Sequence, residues 1–367
     1  MVTHDLINKY QCGFRSKKSC VHQLLRLSEH VSRWFNKKPS GRTVVIFIDA
    51  EKAFDSVWHS GLKKLFHDSK FPTSIIRWLS SYLDNRIGTV KVNCFISEEF
   101  FLMAGVPQGS LLAPILYIFY IKDLPTKVFD ALITSFYADD TSYAASDTLH
   151  KSSKSFAADF LQPILIELEE FCAKWRMGLN PNKTFCLNFF QNSKNNNSPR
   201  LWLRGNLIEY KKSCKFLGIT FDEKLSYKEH IENVVSKCHK RLNLLKAIRG
   251  RNWGANHNTI LYTYKTFIRP VIEYGSILFA HSDSKLLQRI QAVETTAIKI
   301  AYRLPPWTTN FWCYDLVNFN NILDRIKHKA KQFLNTNAND DLIKPLIEAA
   351  KPSMTGLHSS VYKALHW

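Results

Sequence analysis

Two adjacent carboxylates, Asp139 and Asp140, constrain this chain more than any other feature of its sequence. They lie in the segment Ser135-Phe136-Tyr137-Ala138-Asp139-Asp140-Thr141, between two apolar runs. Aspartates are common in turns, because a carboxylate accepts hydrogen bonds from nearby backbone N–H groups. Taken alone, the pair favours an ordinary turn. The alternative is a hairpin that presents both carboxylates to a ligand, and it depends on acidic residues elsewhere in the chain.

A third carboxylate, Asp49, follows a run that predicts a buried strand. The run Thr43-Val44-Val45-Ile46-Phe47-Ile48 is continuous, apolar and rich in β-branched residues. A strand that ends in an acid, together with Asp139 and Asp140, would suit two divalent ions roughly 3.5–4 Å apart, as phosphoryl transfer requires. Magnesium prefers such hard oxygen ligands. Without cations, three close carboxylates would repel one another and raise one another's pKa values.

A glycine-rich loop lies between these segments, at Ala104-Gly105-Val106-Pro107-Gln108-Gly109-Ser110. Glycine allows a backbone to approach a ligand closely. Ser110 is able to cap the helix predicted after it, with Pro114 tolerated near the first turn. Taken alone, the segment favours an ordinary loop before a buried helix. The apolar run that follows is too short to span a bilayer, which needs ~20 residues.

In this order, the segments resemble the motifs of reverse transcriptases from non-LTR retrotransposons, in particular the jockey-like lineages of insects and other arthropods. The matching segments are Gln11 to Cys20 (fingers motif), Phe47 to Asp55 (motif A), Gly105 to Ser110 (motif B), Phe136 to Asp140 (motif C), Gly178 to Thr184 (motif D) and Lys215 to Ile219 (a strand that grips the primer). The resemblance covers most of the chain. It implies an α+β right-hand polymerase fold, in which helices pack an antiparallel palm sheet and a helical thumb follows.

The resemblance also implies what the acidic residues and their neighbours do. Asp49, Asp139 and Asp140 would bind two Mg²⁺ ions, with Mn²⁺ as the alternative ion. Lys183 would protonate or neutralise the leaving pyrophosphate. A lysine after Asn-Pro-Asn is equally typical of a solvated turn. Arg15 would reach the template or the triphosphate, although surface arginines mostly bind without specificity.

Three further residues take roles in nucleotide selection from the same resemblance. Phe54 would lie under the sugar, where its bulk would exclude a 2′-hydroxyl and favour deoxynucleotides. Gln108 and Gly109 would position the incoming nucleotide against the template base. The implied partners are an RNA template, a DNA primer and deoxynucleoside triphosphates, and no membrane.

The positive charge of the chain suits a polyanionic partner. It argues against the class of substrate-binding proteins that are themselves acidic. The formal net charge is +19 and the sequence pI is about 9.5. Leu242, Leu245 and Ile248 predict the apolar face of a helix. The basic residues around it are Lys237, His239, Lys240, Arg241, Lys246, Arg249 and Arg251, and Lys211, Lys212 and Lys215 precede it. A solvated face or a membrane-surface helix would show the same pattern. The preceding motifs favour a thumb that follows the phosphate backbone, with binding that weakens steeply with salt.

We predict four regions: partial fingers over residues 1–40, a palm over 41–222, a helical thumb over 223–303 and a C-terminal helical extension of unknown role over 304–367. The predicted elements include a long helix from Phe156 to Trp175, a polar loop from Asn192 to Pro199 and a helix capped at Ser282-Asp283-Ser284. The eight cysteines are separated and form no Cys-x-x-Cys pair. This spacing argues against a zinc knuckle and for free thiols in a reducing intracellular setting. The implied location is the nucleus and cytoplasm, as a ribonucleoprotein.

The point at which the chain begins leaves its activity open. Elements of this family carry an endonuclease domain and further fingers segments upstream, so we expect an N-terminally truncated fragment that lacks the endonuclease. Three hypotheses follow: an RNA-directed DNA polymerase, an inactive relic that only binds nucleic acid, and a non-enzymatic interaction protein on a recycled palm. The intact acidic residues, Phe54 and Gln108 argue against the third, and we favour the first as the biochemical identity. The sequence predicts no oligomeric state.

Overall fold

The computed structural model describes residues 6–38, 40–148, 156–191, 198–250, 253–350 and 359–366. The chain divides into two compact units, which are described separately. The first contains residues 1–23, 43–188 and 195–211, and the second contains residues 24–42, 189–194 and 212–367. The predicted catalytic and nucleotide-binding residues all lie in the first unit. Arg251 and residues 192–197 of the predicted polar loop lie outside the described residues.

The secondary structure mixes short strands with helices. The strands are β1 Gly41–Ile48, β2 Ala50–Glu51, β3 Ile87–Gly88, β4 Lys91–Val92, β5 Phe95–Ile96, β6 Phe100–Phe101, β7 Leu132–Tyr137, β8 Asp140–Thr148, β9 Gly178–Leu179, β10 Phe185–Phe189, β11 Trp202–Leu203, β12 Asn206–Leu207, β13 Glu209–Lys211, β14 Ser213–Phe216 and β15 Ile219–Asp222. The helices are α1 Cys20–Phe35, α2 His59–Asp68, α3 Thr73–Leu83, α4 Ala113–Tyr120, α5 Phe156–Lys174, α6 Lys228–Arg249, α7 His257–Thr263, α8 Arg269–Glu273, α9 Ser276–Phe279, α10 Ser284–Tyr302, α11 Asn310–Asp315, α12 Ile322–Thr336, α13 Lys344–Ala349 and α14 Ser360–Leu365, and a π-helix, Tyr264–Ile268, joins α7 to α8.

A five-stranded sheet with the order β13-β10-β1-β8-β7 positions the carboxylates. Strands β7 and β8 pair antiparallel, as predicted, whereas β10 and β13 at the other edge pair parallel. Strand β1 is buried along its whole length and lies in the middle of the sheet. Its alternate residues Val44, Ile46 and Ile48 belong to the hydrophobic core, as the twofold side-chain alternation of a strand requires. This packing fixes the end of β1, and therefore the position of Asp49.

Two helices complete that core. The predicted long helix is present as α5, and its Leu161, Leu165 and Leu168 are buried in the same cluster as β1. Helix α4 follows the glycine-rich loop and is buried at nearly every position, including Tyr117 and Tyr120. The Ser110 hydroxyl accepts a hydrogen bond from the backbone N–H of Ala113, the first helical residue, at 3.1 Å, although the residue at the N-cap position is Leu112.

In the second unit, α6 packs against α10. Leu242 and Leu245 are buried as predicted, but Ile248 is 39% exposed, so its assignment to the apolar face was wrong. It lies in the last turn of α6, where the packed face ends. The predicted cap of α10 is present, because the Asp283 side chain accepts a hydrogen bond from the Lys285 N–H at 2.8 Å. In the part of the chain that the structure describes, no helix is long and apolar enough to cross a membrane.

The single strand predicted from Lys215 to Ile219 is wrong, because the chain reverses direction within it. Strands β14 and β15 pair antiparallel with Phe216 opposite Ile219. The two turn residues, Leu217 and Gly218, have φ values of +44° and +84°. Positive φ at both positions is typical of a type I′ hairpin, whose twist matches that of the strands. The Tyr274 hydroxyl donates a hydrogen bond to the Leu217 carbonyl at 2.6 Å and holds this turn.

A buried carboxylate of the second unit, Glu294, binds residues of two helices beyond residue 303. Glu294 on α10 is fully buried and accepts hydrogen bonds from Arg269, at 3.2 Å, and from the Tyr264 hydroxyl, at 3.0 Å. It also accepts from the Tyr314 hydroxyl at 3.0 Å and from the Ile322 N–H at 2.6 Å. Because a buried carboxylate without partners is costly, this network joins α11 and α12 to α10.

Acid is expected to destabilise the protein through His230 of α6. The ring is buried beside Phe279, and burial, with the charges of Lys237 and Lys215, lowers the pKa of His230 to about 4. Its pKa in the unfolded chain is about 6.5. The contribution of neutral His230 to the free energy of unfolding is therefore fully present above pH 6.5. It is lost as the pH falls from 6.5 towards 4, and the total loss is about 3 kcal/mol.

Denaturant titrations at several pH values between these limits would measure the effect. The His230→Gln variant should lose less of its free energy of unfolding than the wild-type protein across this window. If the free energy of unfolding fell equally with pH in both proteins, His230 would not be the cause of the acid sensitivity.

Candidate active site

The two carboxylates that dominate the sequence lie at the tip of a hairpin. Tyr137 pairs with Asp140 across β7 and β8, so Ala138 and Asp139 form a two-residue turn. Ala138 has a φ of +56°, and a positive φ at the first turn position is typical of tight hairpins. Phe136 is fully buried, whereas Asp139 is exposed. The buried strand thus anchors a turn that presents its acid to solvent.

Asp49 lies near this hairpin, because β1 and β8 are neighbours in the sheet. Partial loss of hydration, followed by the charges of Asp139 and Asp49, raises the pKa of Asp140 to about 6. Like charges that lie close together raise one another's pKa values in this way. Their oxygens are the donors that a hard divalent ion prefers. Across the described residues, no group of three or more His, Cys, Asp or Glu side chains is arranged to hold a metal ion.

A second strand pair brings Lys183 to Asp49. Strand β2, which directly follows Asp49, pairs antiparallel with β9. The Asn180 N–H after β9 donates to the Asp49 carbonyl at 3.0 Å. Lys183 lies in the following turn, and its Nζ is 3.7 Å from Asp49 Oδ2 while its side chain stays 69% exposed. Lys183 is therefore a solvated turn residue and also a neighbour of the carboxylate.

The loops that carry Phe54 and Gln108 pair with each other. The Val106 N–H donates to the Phe54 carbonyl at 2.9 Å, and the Gly105 N–H donates to the Val57 carbonyl at 2.8 Å. Gln108 Nε2 donates to Asp55 Oδ1 at 3.0 Å. Gln108 and Asp55 are 53 residues apart in sequence. These hydrogen bonds therefore bring the loop of Gln108 against the loop of Phe54.

Two glycines of the loop of Gln108, Gly105 and Gly109, have a positive φ, and only Gly105 is closely packed. Gly105 has a φ of +90°, and a Cβ there would lie 2.9 Å from the Asp55 Cα. Gly109 also has a positive φ, but a Cβ there would meet no atom within 4 Å. Gly109 therefore faces open space, as a residue that contacts an incoming ligand must.

Aromatic rings hold Phe54 in place. Its ring stacks on Tyr117 of α4, with 4.6 Å between centroids, and Phe14 meets it edge-on at 6.2 Å. Burial and the charge of Asp139 raise the pKa of Tyr117, so the stack lies close to the hairpin. The sequence did not indicate that Phe14 or Tyr117 belongs to the site. Tyr117 lies inside a buried helix and Phe14 lies in an exposed loop, and neither position differs in sequence pattern from ordinary core or loop residues.

Arg15 takes part in the structure of its own loop. Its Nη1 donates to the carbonyls of Asn8, Lys9 and Gln11 at 3.4, 3.3 and 3.2 Å. Contact with a template or a triphosphate stays a prediction for this residue.

A basic groove lies between α6 and α10 in the second unit. Its volume is about 530 Å³, and its lining includes His239, Lys240, Lys246 and Arg289. Arg289 is paired with Glu232 at 3.0 Å, whereas both lysines are exposed. A groove of this charge suits a phosphate backbone.

The sequence of this chain is similar to those of known proteins. Residues 1–221 match the family described as "Reverse transcriptase (RNA-dependent DNA polymerase)". The chain is 31% identical over 306 residues to "RNA-directed DNA polymerase from mobile element jockey" of Drosophila melanogaster, which covers 80% of this chain and 32% of that protein. It is 28% identical over 344 residues to "Probable RNA-directed DNA polymerase from transposon BS" of the same organism, which covers 91% of this chain and 37% of that protein.

The chain thus spans about a third of the length of these curated relatives. Among solved structures, apo telomerase from Candida tropicalis is similar at 12% identity and a TM-score of 0.41, over 92% of this chain and 57% of that chain. Since the family match extends over well over half of its residues, and the carboxylate hairpin lies within the matched region, this chain belongs to the reverse transcriptase (RNA-dependent DNA polymerase) family.

Proposed function

We propose that this chain is the polymerase core of a non-LTR retrotransposon reverse transcriptase, which extends a DNA primer along an RNA template. The observation that carries the proposal is the position of Asp49 at the end of β1, beside the hairpin of Asp139 and Asp140, since β1 and β8 are neighbouring strands whose Thr43 and Ser146 hydroxyls are 2.7 Å apart. Relatives whose names describe RNA-directed DNA polymerases from mobile elements support it. In this proposal the first unit holds the palm with part of the fingers, and the second holds the thumb.

The carboxylates are assigned to hold Mg²⁺. Asp49, Asp139 and Asp140 would hold the two ions, together with the phosphates of the bound nucleotide. Bound Mg²⁺ would activate the primer 3′-hydroxyl and neutralise the leaving pyrophosphate. Mn²⁺ is the alternative ion.

The other side chains orient the substrates and move charge. Lys183, beside Asp49, would carry the proton that neutralises pyrophosphate as the bond to the α-phosphate breaks. Phe54 would meet the sugar, and Gln108, held by Asp55, would support the nucleobase at the open face of Gly109. Such positioning supplies a large part of the rate in phosphoryl transfer. The proposed setting is a ribonucleoprotein in the nucleus and cytoplasm.

Primer extension tests the function directly. The purified chain is incubated with a DNA primer annealed to an RNA template, Mg²⁺ and the four deoxynucleoside triphosphates. Elongation that stops when a chelator is added would support the proposal. Salt-sensitive binding without elongation, in Mg²⁺ and in Mn²⁺, would instead favour a relic that only binds nucleic acid.

Removing positive charge from the groove is expected to weaken binding of the primer–template. The Lys240→Gln, Lys246→Gln double variant should lower affinity and reduce the slope of log K against log salt by roughly 1.5, since each phosphate contact contributes about 0.7–0.9. Fluorescence anisotropy over a range of salt concentrations measures both quantities. The matched control is Lys331→Gln, Lys344→Gln, which removes two exposed charges on α12 and α13. Equal slopes for the two double variants would exclude the groove as the binding surface.

A further inference from the structure

The hairpin that carries Asp139 has a turn that needs support from outside. Ala138 adopts a φ of +56°, a left-handed conformation that costs an alanine roughly 1 kcal/mol. Such residues persist where the surrounding structure holds them. Asp139 is the next residue, so any change in the backbone of Ala138 redirects the carboxylate.

Gln11 supplies that support with both ends of its amide. Its Oε1 accepts from the Ala138 N–H at 2.8 Å, and its Nε2 donates to the Ala138 carbonyl at 3.3 Å. Oε1 also accepts from the Gly13 N–H at 2.8 Å. The residue is only 1% exposed, so these bonds have little competition from water. A primary amide is the side-chain group that satisfies a backbone donor and a backbone acceptor together.

Other residues near Gln11 also bind the hairpin, at the Phe136 carbonyl of β7. The Cys12 N–H donates to the Phe136 carbonyl at 3.0 Å, and Gln23 Nε2 donates to the same carbonyl at 3.1 Å. A Cβ on Gly13 would lie 2.4 Å from the Ala138 nitrogen, so only glycine permits the approach. The segment Gln11–Gly13 therefore runs against the hairpin up to its turn.

We infer that Gln11 is a positioning residue, which acts through Ala138 to fix the direction of the Asp139 carboxylate. The inference rests on the proposed function of this site. Gln11 is buried beneath the turn and acts on the substrates only through the turn. A misplacement of about 1 Å in a catalytic group can lower a rate ~100-fold, and Mg²⁺ demands near-ideal ligand geometry. Releasing Ala138 should therefore reduce metal binding and turnover and leave the binding of nucleic acid unchanged.

Two variants separate positioning from folding. Gln11→Met keeps the length of the side chain and removes the donor and the acceptor. Gln11→Glu keeps the acceptor for the Ala138 N–H and removes the donor to the Ala138 carbonyl. Gln162→Met is the matched control, because Gln162 bonds the backbone of Trp202 at 2.9 and 3.0 Å on the surface of the same unit.

In single-nucleotide extension, Gln11→Met is expected to lower kcat ~100-fold and to raise the Mg²⁺ concentration for half-maximal rate at least fivefold, with Gln11→Glu intermediate. The KM for the nucleotide and the Kd for primer–template should stay within threefold. A kcat equal to that of Gln162→Met, or a loss explained by the folded fraction in circular dichroism, would overturn the inference. If Gln11→Met does not fold, Gln11→Glu decides by the same criteria.

Binding of Mn²⁺ keeps this test independent of turnover. Titration by electron paramagnetic resonance, without nucleic acid, compares the wild-type protein with Gln11→Met, Asp139→Asn and Gln162→Met. Weaker Mn²⁺ binding in the first two variants, with no change in the third, supports the role of Gln11 even if the wild-type chain fails to extend a primer. Wild-type affinity in Gln11→Met, together with weak binding in Asp139→Asn, would refute it.

Discussion

Replacing Asp139 with asparagine is expected to abolish extension of a DNA primer on an RNA template, with a rate loss of ~1,000-fold or more, about 4 kcal/mol in transition-state stabilisation. Asparagine keeps the size of the side chain and removes the negative charge that a metal ion requires. Because Asp139 is exposed at a hairpin turn, its replacement should leave the fold intact. The loss of a like charge should also bring the pKa of Asp140 down towards its ordinary value.

Extension kinetics in Mg²⁺, with circular dichroism and primer–template affinity measured on the same samples, would check this result. Asp68→Asn, at the exposed end of α2, is the matched control and should extend the primer normally. If Asp139→Asn retained a tenth or more of the wild-type rate, the two-metal assignment would be wrong.

Shortening Phe54 is expected to remove the discrimination between deoxynucleotides and ribonucleotides. In Phe54→Ala, the ratio of kcat/KM for a deoxynucleotide to kcat/KM for its ribonucleotide should fall ~100-fold, about 2.7 kcal/mol. The ring is held from two sides by Tyr117 and Phe14, so it cannot easily move away from a 2′-hydroxyl. Phe54→Tyr keeps the ring and should keep the ratio.

The ratio is measured within each variant by single-nucleotide incorporation, so any loss of folded protein affects both nucleotides equally. This matters because truncating a packed aromatic ring also destabilises the fold. An unchanged ratio in Phe54→Ala would show that the ring does not meet the sugar.

The sequence determined the parts of the site that local patterns encode. The continuous apolar run of β1 predicted a buried strand that ends at Asp49, and the pair Asp139-Asp140 between apolar runs predicted a turn. The pattern of β-branched and apolar residues acts on neighbouring φ and ψ angles, so it is readable without the rest of the chain. The same local logic failed at Leu217-Gly218, where one glycine inside an apolar run marked a turn rather than a strand.

Only the tertiary structure decided which of these segments meet. The pairing of β2 with β9 brings Lys183 to Asp49, and the bond between Asp55 and Gln108 joins two loops. Gln11 reaches Ala138 across 127 residues, and no pattern around Gln11 indicates that contact. Such contacts depend on how the whole sheet packs against α4 and α5. The residues that make these contacts are ordinary polar residues. They form their hydrogen bonds only after the packed core has brought the partners within reach.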